Sequence, residues 1–143
     1  MKKSVLLLFG LVLAFSISAQ SPKAILGKWL SPDRDAKIEI FEKSNKFYGK
    51  IIWLSNPYEA DGKTNRKDVK NKDTNLRYRP LINMIILSDF VYDDGKWSDG
   101  KIYDPKTGKT YSCVIKLKDG NLDVRGYVGS PMFGRSATFV KSN

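Results

Sequence analysis

Apolar and polar positions alternate along most of the chain with a period of two. In "AKIEIFE", Ile38 and Ile40 fall on one face and Lys37 and Glu39 on the other. In "YSCVIKL", Tyr111, Cys113, Ile115 and Leu117 share a face, and in "LDVRGYV" Leu122, Val124 and Val128 oppose Asp123, Arg125 and Tyr127. Successive side chains of a strand point to opposite sides, so this pattern predicts half-buried antiparallel strands. Strands are expected near 26–31, 37–43, 47–54, 85–92, 100–103, 110–118, 121–128 and 136–141. Between them lie "KSNK", "DDGK", "SDGK", "DPKTGK" and "KDGN", whose Asp, Asn and Gly residues tolerate the positive φ of tight turns. "DDGKWSDG" reads as two hairpin turns in succession. No window after residue 20 carries a helical period. About eight short strands in hairpin succession predict an all-β fold, an antiparallel up-and-down β-barrel, with a sandwich as the alternative.

One connection breaks the rhythm. Ser55–Pro80 is long and polar, with seven cations against four acids. Connections of this length in a small domain are functional lids or solvated excursions. Within it Arg77 and Arg79 flank Tyr78, and Pro80 opens the apolar run "PLINMIIL". Pro80 is expected to end the loop and start a strand, leaving both arginines at a barrel mouth, tying the loop down or facing an anion.

The first residues follow a different logic. Lys2 and Lys3 precede an uncharged run from Ser4 to Ser18, and Ala19 closes it with a small residue. This is the layout of a helical signal peptide, expected over residues 1–19 and cleaved after Ala19. The run is 15 residues, short of the roughly 20 needed to span a bilayer, so no membrane span is expected after cleavage. The rest, 20–143, suffices for a single domain with one core, expected in the periplasm or secreted. Without Lys2 and Lys3 it holds 23 cations against 15 acids, a net charge of +8. Such a surplus favours anionic surfaces, and an exported address argues against nucleic acid.

Residue types exclude more than they identify. Histidine is absent and Cys113 is the single cysteine. An internal disulfide, the usual zinc sites and histidine-assisted nucleophiles are therefore ruled out. Asn71, Asp73 and Asn75 alternate as calcium-loop ligands do, but Leu76 and Ile82 stand where such a loop needs glycine and glutamate, so no metal is expected. Nothing brings Glu39, Glu42, Asp99 or Asp104 into a catalytic pair, no phosphate-cradling loop is present, and neither a catalytic residue nor a cofactor is expected. Basic and aromatic residues remain: Arg77 and Arg79 around Tyr78, and Arg125, Tyr127 and Arg135. They are the candidate ligand-binding residues, because a guanidinium pairs bidentately with a carboxylate. The ordinary reading is arginine bonding backbone carbonyls in turns. Cys113, mid-strand on an apolar face, reads as a small buried hydrophobe.

Collected together, "GKWLSPD" (27–33), "GKIIWL" (49–54), "LRYRPL" (76–81), "WSDGKIYDPKTGKTY" (97–111) and "LDVRGYVGSPMFGR" (122–135) resemble a bacterial family, domain of unknown function 2147. The resemblance runs from about Ile25 to Lys141. It implies a small exported protein with a lipocalin- or calycin-like barrel and leaves the activity undefined. The Gly-x-Trp of "ILGKWL" is similar to the first-strand pattern of lipocalin-type barrels, which makes Trp29 the candidate barrel floor. The chain departs from the family at Tyr48, Asn83 and Phe139, where cysteine, glycine and tryptophan are frequent.

Two functions are expected from this picture. An eight-stranded barrel is wide enough for packed side chains or one small ligand. In the first reading a fatty acid or similar small amphiphile buries its tail among Ile38, Ile40, Ile115 and Leu117, and Arg79, Arg125 or Arg135 takes its headgroup. In the second, a filled barrel docks an anionic envelope component through the basic 55–80 loop; a monomer is expected in either case. An enzyme is the least favoured reading. A filled interior would favour docking over an internal ligand.

Overall fold

Three two-residue turns set the architecture. Ser44–Asn45, Asp94–Gly95 and Asp119–Gly120 all adopt positive φ at both positions, the geometry that matches strand twist in tight hairpins. They join β2 (Ala36–Lys43) to β3 (Lys46–Leu54), β4 (Ile85–Asp93) to β5 (Lys96–Asp104), and β6 (Lys109–Lys118) to β7 (Asn121–Tyr127). With β1 (Gly27–Leu30) and β8 (Arg135–Ser142) they make eight antiparallel strands in sequence order. Pairing of Lys28 with Ser142 and Leu30 with Val140 closes the sheet into a barrel. The computed structural model describes residues 20–143, so the expected signal peptide lies outside the described residues. Only three short 3-10 turns interrupt the β structure, and among the described residues no helix is long and apolar enough to cross a membrane.

Strict alternation of connections gives the barrel two unlike ends. The hairpin end carries the three tight turns. The loop end carries 31–35, 55–84, 105–108 and 128–134. Pro80 does not begin β4. It forms an isolated bridge with Lys67 inside the long loop, and β4 starts at Ile85.

β5 is longer than its sequence pattern predicts. "WSDG" is not a second turn but a bulge, with Asp99 at φ 60° and one extra residue between the inward-facing Trp97 and Gly100, so that Ser98 and Asp99 stand opposite Val114 alone. The same device recurs in β4, where Asp89 at φ 63° lets Leu87 and Phe90 both face inward. By contrast, β7 and β8 pair without a shift: Leu122, Val124 and Gly126 oppose Phe139, Ala137 and Arg135. Val128, expected to share the face of Val124, lies beyond β7 in solvent.

Side chains fill the barrel. Trp29, Trp97, Phe47, Phe90 and Phe139 join Leu, Ile and Val residues in one contiguous buried cluster. Glycine makes the fit possible. A Cβ on Gly100 would lie 2.4 Å from the Phe90 ring, and one on Gly49 would lie 2.9 Å from Leu87. Such interdigitation is packing at interior density, where an added methyl group must displace its neighbours.

Candidate functional site

The hairpin end is sealed by the chain's own first described segment. The 3-10 turn Pro22–Ile25 lies over the opening and buries Ile25. Indole and phenol groups fasten it: Trp29 Nε1 donates to the Ile25 carbonyl at 2.9 Å, Trp97 Nε1 to Pro22 at 2.9 Å, and Tyr92 Oη to Gln20 at 2.6 Å. Trp29, the candidate floor residue, is buried against this plug. Lys141, paired with it across β1 and β8, holds its ammonium 4.9 Å from the ring.

The loop end is closed by charge. Asp68 is fully buried (0 % exposed), and every donor it needs arrives from the loop or from β5. Tyr103 Oη donates to Oδ1 at 2.5 Å, while Asn71 Nδ2 and Arg79 Nη2 donate to Oδ2 at 2.7 and 2.8 Å. Burial alone would push this carboxyl up. The hydrogen bonds from Tyr103, Asn71 and Arg79 together outweigh it and hold the pKa below the ordinary aspartate value. The Tyr103 phenol is pushed up to about 12, by burial first and then by its bond to the Asp68 carboxylate. A second, smaller apolar cluster, Ile51, Leu81 and Met84, lies under the same loop. The loop also packs on the 105–108 turn so closely that a Cβ on Gly108 would lie 1.9 Å from the Lys70 carbonyl oxygen.

A further ion pair crosses this end. Asp35 precedes β2 and Lys106 follows β5, so they sit on opposite sides of the ring of strands, and their side chains meet at 2.9 Å. Asp35 is held below its usual range, first by the Ser31 hydroxyl and then by Lys106.

The candidate arginines are distributed rather than gathered. Arg79 pairs with Asp68, and Arg77 Nε donates to the Asn71 carbonyl at 2.7 Å, so both fasten the long loop. Arg125 points outward from β7, opposite the inward Val124. Its guanidinium donates to the carbonyls of Pro131 and Met132 and to Ser136 Oγ, at 2.6, 3.3 and 3.0 Å. Tyr127 lies on the same outer wall. Arg135, paired with Gly126, occupies an inward-facing position at the very rim of the loop end and is exposed. The structure thus does not bring the five together. Ile38, Ile40 and Ile115 are buried in the filled core, and Leu117 packs against it.

Two surface hollows among the described residues lie outside the barrel. One, of about 340 Å³, runs along the outer wall between Lys116, Arg125, Met132 and Ser136. The other is a shallow depression bounded by Arg79, Pro80 and Ile82–Ile85. No cluster of three or more acidic or sulfur ligands able to hold a metal occurs among the described residues. Asn71 and Asp73 accept instead from the backbone amides of Asp73 and Asn75. Cys113 is buried, and burial pushes its thiol up to about 12, which keeps it unreactive.

The Asp68 network is the feature that sequence patterns miss. A lone acid within "RKDVKNKD" is the available signal, because a carboxylate among cations invites a structural ion pair. Its phenolic partner, 35 residues further on, carries none.

The chain that folds into this eight-stranded barrel matches a family model over residues 27–141. The chain belongs to DUF2147, described as an uncharacterised protein conserved in bacteria. Among solved structures it is similar to Helicobacter pylori HP1028, described as belonging to the lipocalin family. The two share 24% identity over 83% of each chain, with a TM-score of 0.70. At that identity the likeness establishes the fold. A search of curated proteins returns no match. This DUF2147 member is accordingly a lipocalin-like barrel whose interior is occupied by its own side chains.

Proposed function

We propose that this DUF2147 protein is an exported docking module that binds an anionic component of the cell envelope through the loop end. The filled interior carries this reading. Trp29, Phe90 and Trp97 occupy the volume in which a hollow barrel would hold an amphiphile's tail, and the hollows lie on the outside. The long loop supports it. Asp68, Arg79 and Tyr103 hold that loop rigidly to the barrel, while Lys63, Arg66, Lys67 and Lys70 remain exposed along it. A preorganised cationic surface binds with little ordering cost, and its attraction for an anionic partner is screened by salt.

The test uses the mature chain and bacterial envelope fractions. Binding should fall steeply from low to physiological salt, where the Debye length shrinks to ~8 Å. Charge reversal at Lys63, Arg66, Lys67 and Lys70 should abolish it without unfolding the barrel. Binding indifferent to salt and to those substitutions would end the proposal.

One observation favours a second reading. Arg135 stands on an inward-facing rim position with Ile102 and Tyr111 on the neighbouring inward positions of β5 and β6. A small acid could seat its carboxylate there without entering the core. Calorimetry with short- and long-chain fatty acids separates the two, since a rim site gains nothing from a longer tail.

A further inference from the structure

The β7–β8 connection presents apolar side chains to solvent in a way the rest of the barrel does not. Val128, Met132 and Phe133 are 76%, 78% and 80% exposed, three large hydrophobics within six residues. They are not loosely held. Gly129 takes a positive φ, the 3-10 turn Pro131–Phe133 is capped by Ser130, and Gly134 donates to the Pro131 carbonyl. Arg125 grips the turn from below through two of its carbonyls. The chain spends a guanidinium and a proline on keeping Met132 and Phe133 outward.

Cations predominate around this turn; the acid that lines the hollow beneath it, Asp123, is paired with Lys118. From Val124 to Ser136 there is no acidic side chain, while Arg125 and Arg135 fall in that stretch. Arg135 directly follows the turn, and Lys116 lines the hollow beneath Met132. Neither forms an ion pair among the described residues. The basic 55–84 loop projects from the same end of the barrel.

We infer that the β7–β8 turn is a membrane-interface wedge, with Met132, Phe133 and Val128 entering the headgroup–acyl boundary of an anionic bilayer while Arg135 and Lys116 meet its phosphates. This deepens the docking function and rests on it, naming the anionic component as lipid. Apolar insertion combined with cationic attraction is the pairing that peripheral membrane binding requires. The apolar groups are few and largely exposed, with Lys116, Arg125 and Arg135 close behind them, a combination that suits a charged lipid surface.

Flotation of the mature chain with phosphatidylcholine vesicles, and with vesicles containing phosphatidylglycerol, provides the test. Binding is expected to the anionic vesicles only. The double variant Met132→Ser, Phe133→Ser should weaken it by roughly tenfold or more, and Arg135→Gln by a smaller factor. Both sites are exposed, so circular dichroism should be unchanged. In Phe133→Trp the new indole should shift to the blue on binding and be quenched by brominated acyl chains. Absence of binding, or an unquenched indole, would overturn the wedge, and so would vesicle binding that the double variant retains. Wedge-dependent capture by envelope fractions that protease treatment destroys would assign the tip to a protein. Wedge-dependent dimerisation would assign it to a second copy. In any of these outcomes the docking function itself stands if charge reversal in the 55–84 loop still abolishes envelope binding, and falls with the wedge if it does not.

Discussion

The two ends of the barrel are closed by opposite chemistries. At the hairpin end, three two-residue turns leave nothing to spare, and the plug is apolar, with Trp29, Trp97 and Tyr92 each giving one hydrogen bond to a backbone carbonyl. At the loop end, the cover is a long polar excursion fastened by Asp68, Arg79 and Tyr103, with Asp35 and Lys106 reaching across. Aromatic packing carries no charge for salt to screen or acid to remove. Ion pairs are screened by salt and lose their carboxylates in acid. The permanent seal is therefore at one end, and the adjustable, cation-bearing surface at the other.

The strongest way to break this contrast is to remove a seal residue. Trp97 is completely buried and joins the N-terminal plug to the core. Trp97→Ala should cost about 3–5 kcal/mol, read as a shift in the urea midpoint with a cooperative transition. Gly100→Ala tests the same core from the other direction. Its new methyl group would collide with Phe90 and should cost about 1–3 kcal/mol. If Gly100→Ala were silent, the barrel would hold unfilled space and the argument against an internal ligand would weaken.

Replacing Asp68 probes the loop end. In Asp68→Asn the amide oxygen can keep the Asn71 and Arg79 donors and its nitrogen can donate to Tyr103 Oη, but the ion pair is lost. Arg79 is 43% exposed and recovers solvation, so a cost of about 1–3 kcal/mol is expected rather than the full price of an orphaned buried charge. The effect should be local. Amide exchange at Asp68 and Leu81, which bond to Arg79 and Arg66 within the loop, should accelerate, while β2 and β3 remain protected. Tyr103 should titrate nearer its ordinary value, since part of its upward displacement comes from Asp68. The pH dependence follows from the lowered Asp68 pKa. Its contribution is complete above the unfolded value of about 3.9 and is lost as pH falls through the lower folded value. The stability gap between wild type and variant should thus be constant near neutrality and close in acid. A gap that widened in acid would contradict the assignment.

How much of this was legible in advance differs between the ends. The hairpin end was written in local chemistry: Asn and Asp–Gly pairs at positive φ between alternating segments, with Trp29 on the first strand. Two errors came from the same code. Asp99–Gly100 has the composition of a turn but forms a bulge, because Phe90 requires a glycine opposite it, and that demand comes from β4, not from the neighbouring sequence. Pro80 resembles a strand start, yet Lys67 pairs with it in the loop. At the loop end, arginines were visible but their partners were not. Whether a guanidinium meets a buried carboxylate, as Arg79 does, a carbonyl, as Arg77 and Arg125 do, or solvent, as Arg135 does, depends on contacts between distant segments. Alternation places Val128 on the face of Val124, but β7 ends at Tyr127 and leaves Val128 in solvent with Met132 and Phe133.

The smallest effect sharpens the comparison most finely. Lys106 is mostly exposed, so Lys106→Met should change stability by less than about 1 kcal/mol, and that difference should vanish at high salt. Its informative consequence lies with Asp35. The Ser31 hydroxyl is the larger cause of the lowered Asp35 pKa and Lys106 the next, so the carboxyl should rise in the variant yet stay below its ordinary value when followed by NMR. A full return would mean that the cross-end ion pair, rather than the Ser31 turn, holds Asp35 in place. In that case the loop end would be latched across its diameter by a single solvent-exposed cation, and salt alone should loosen it.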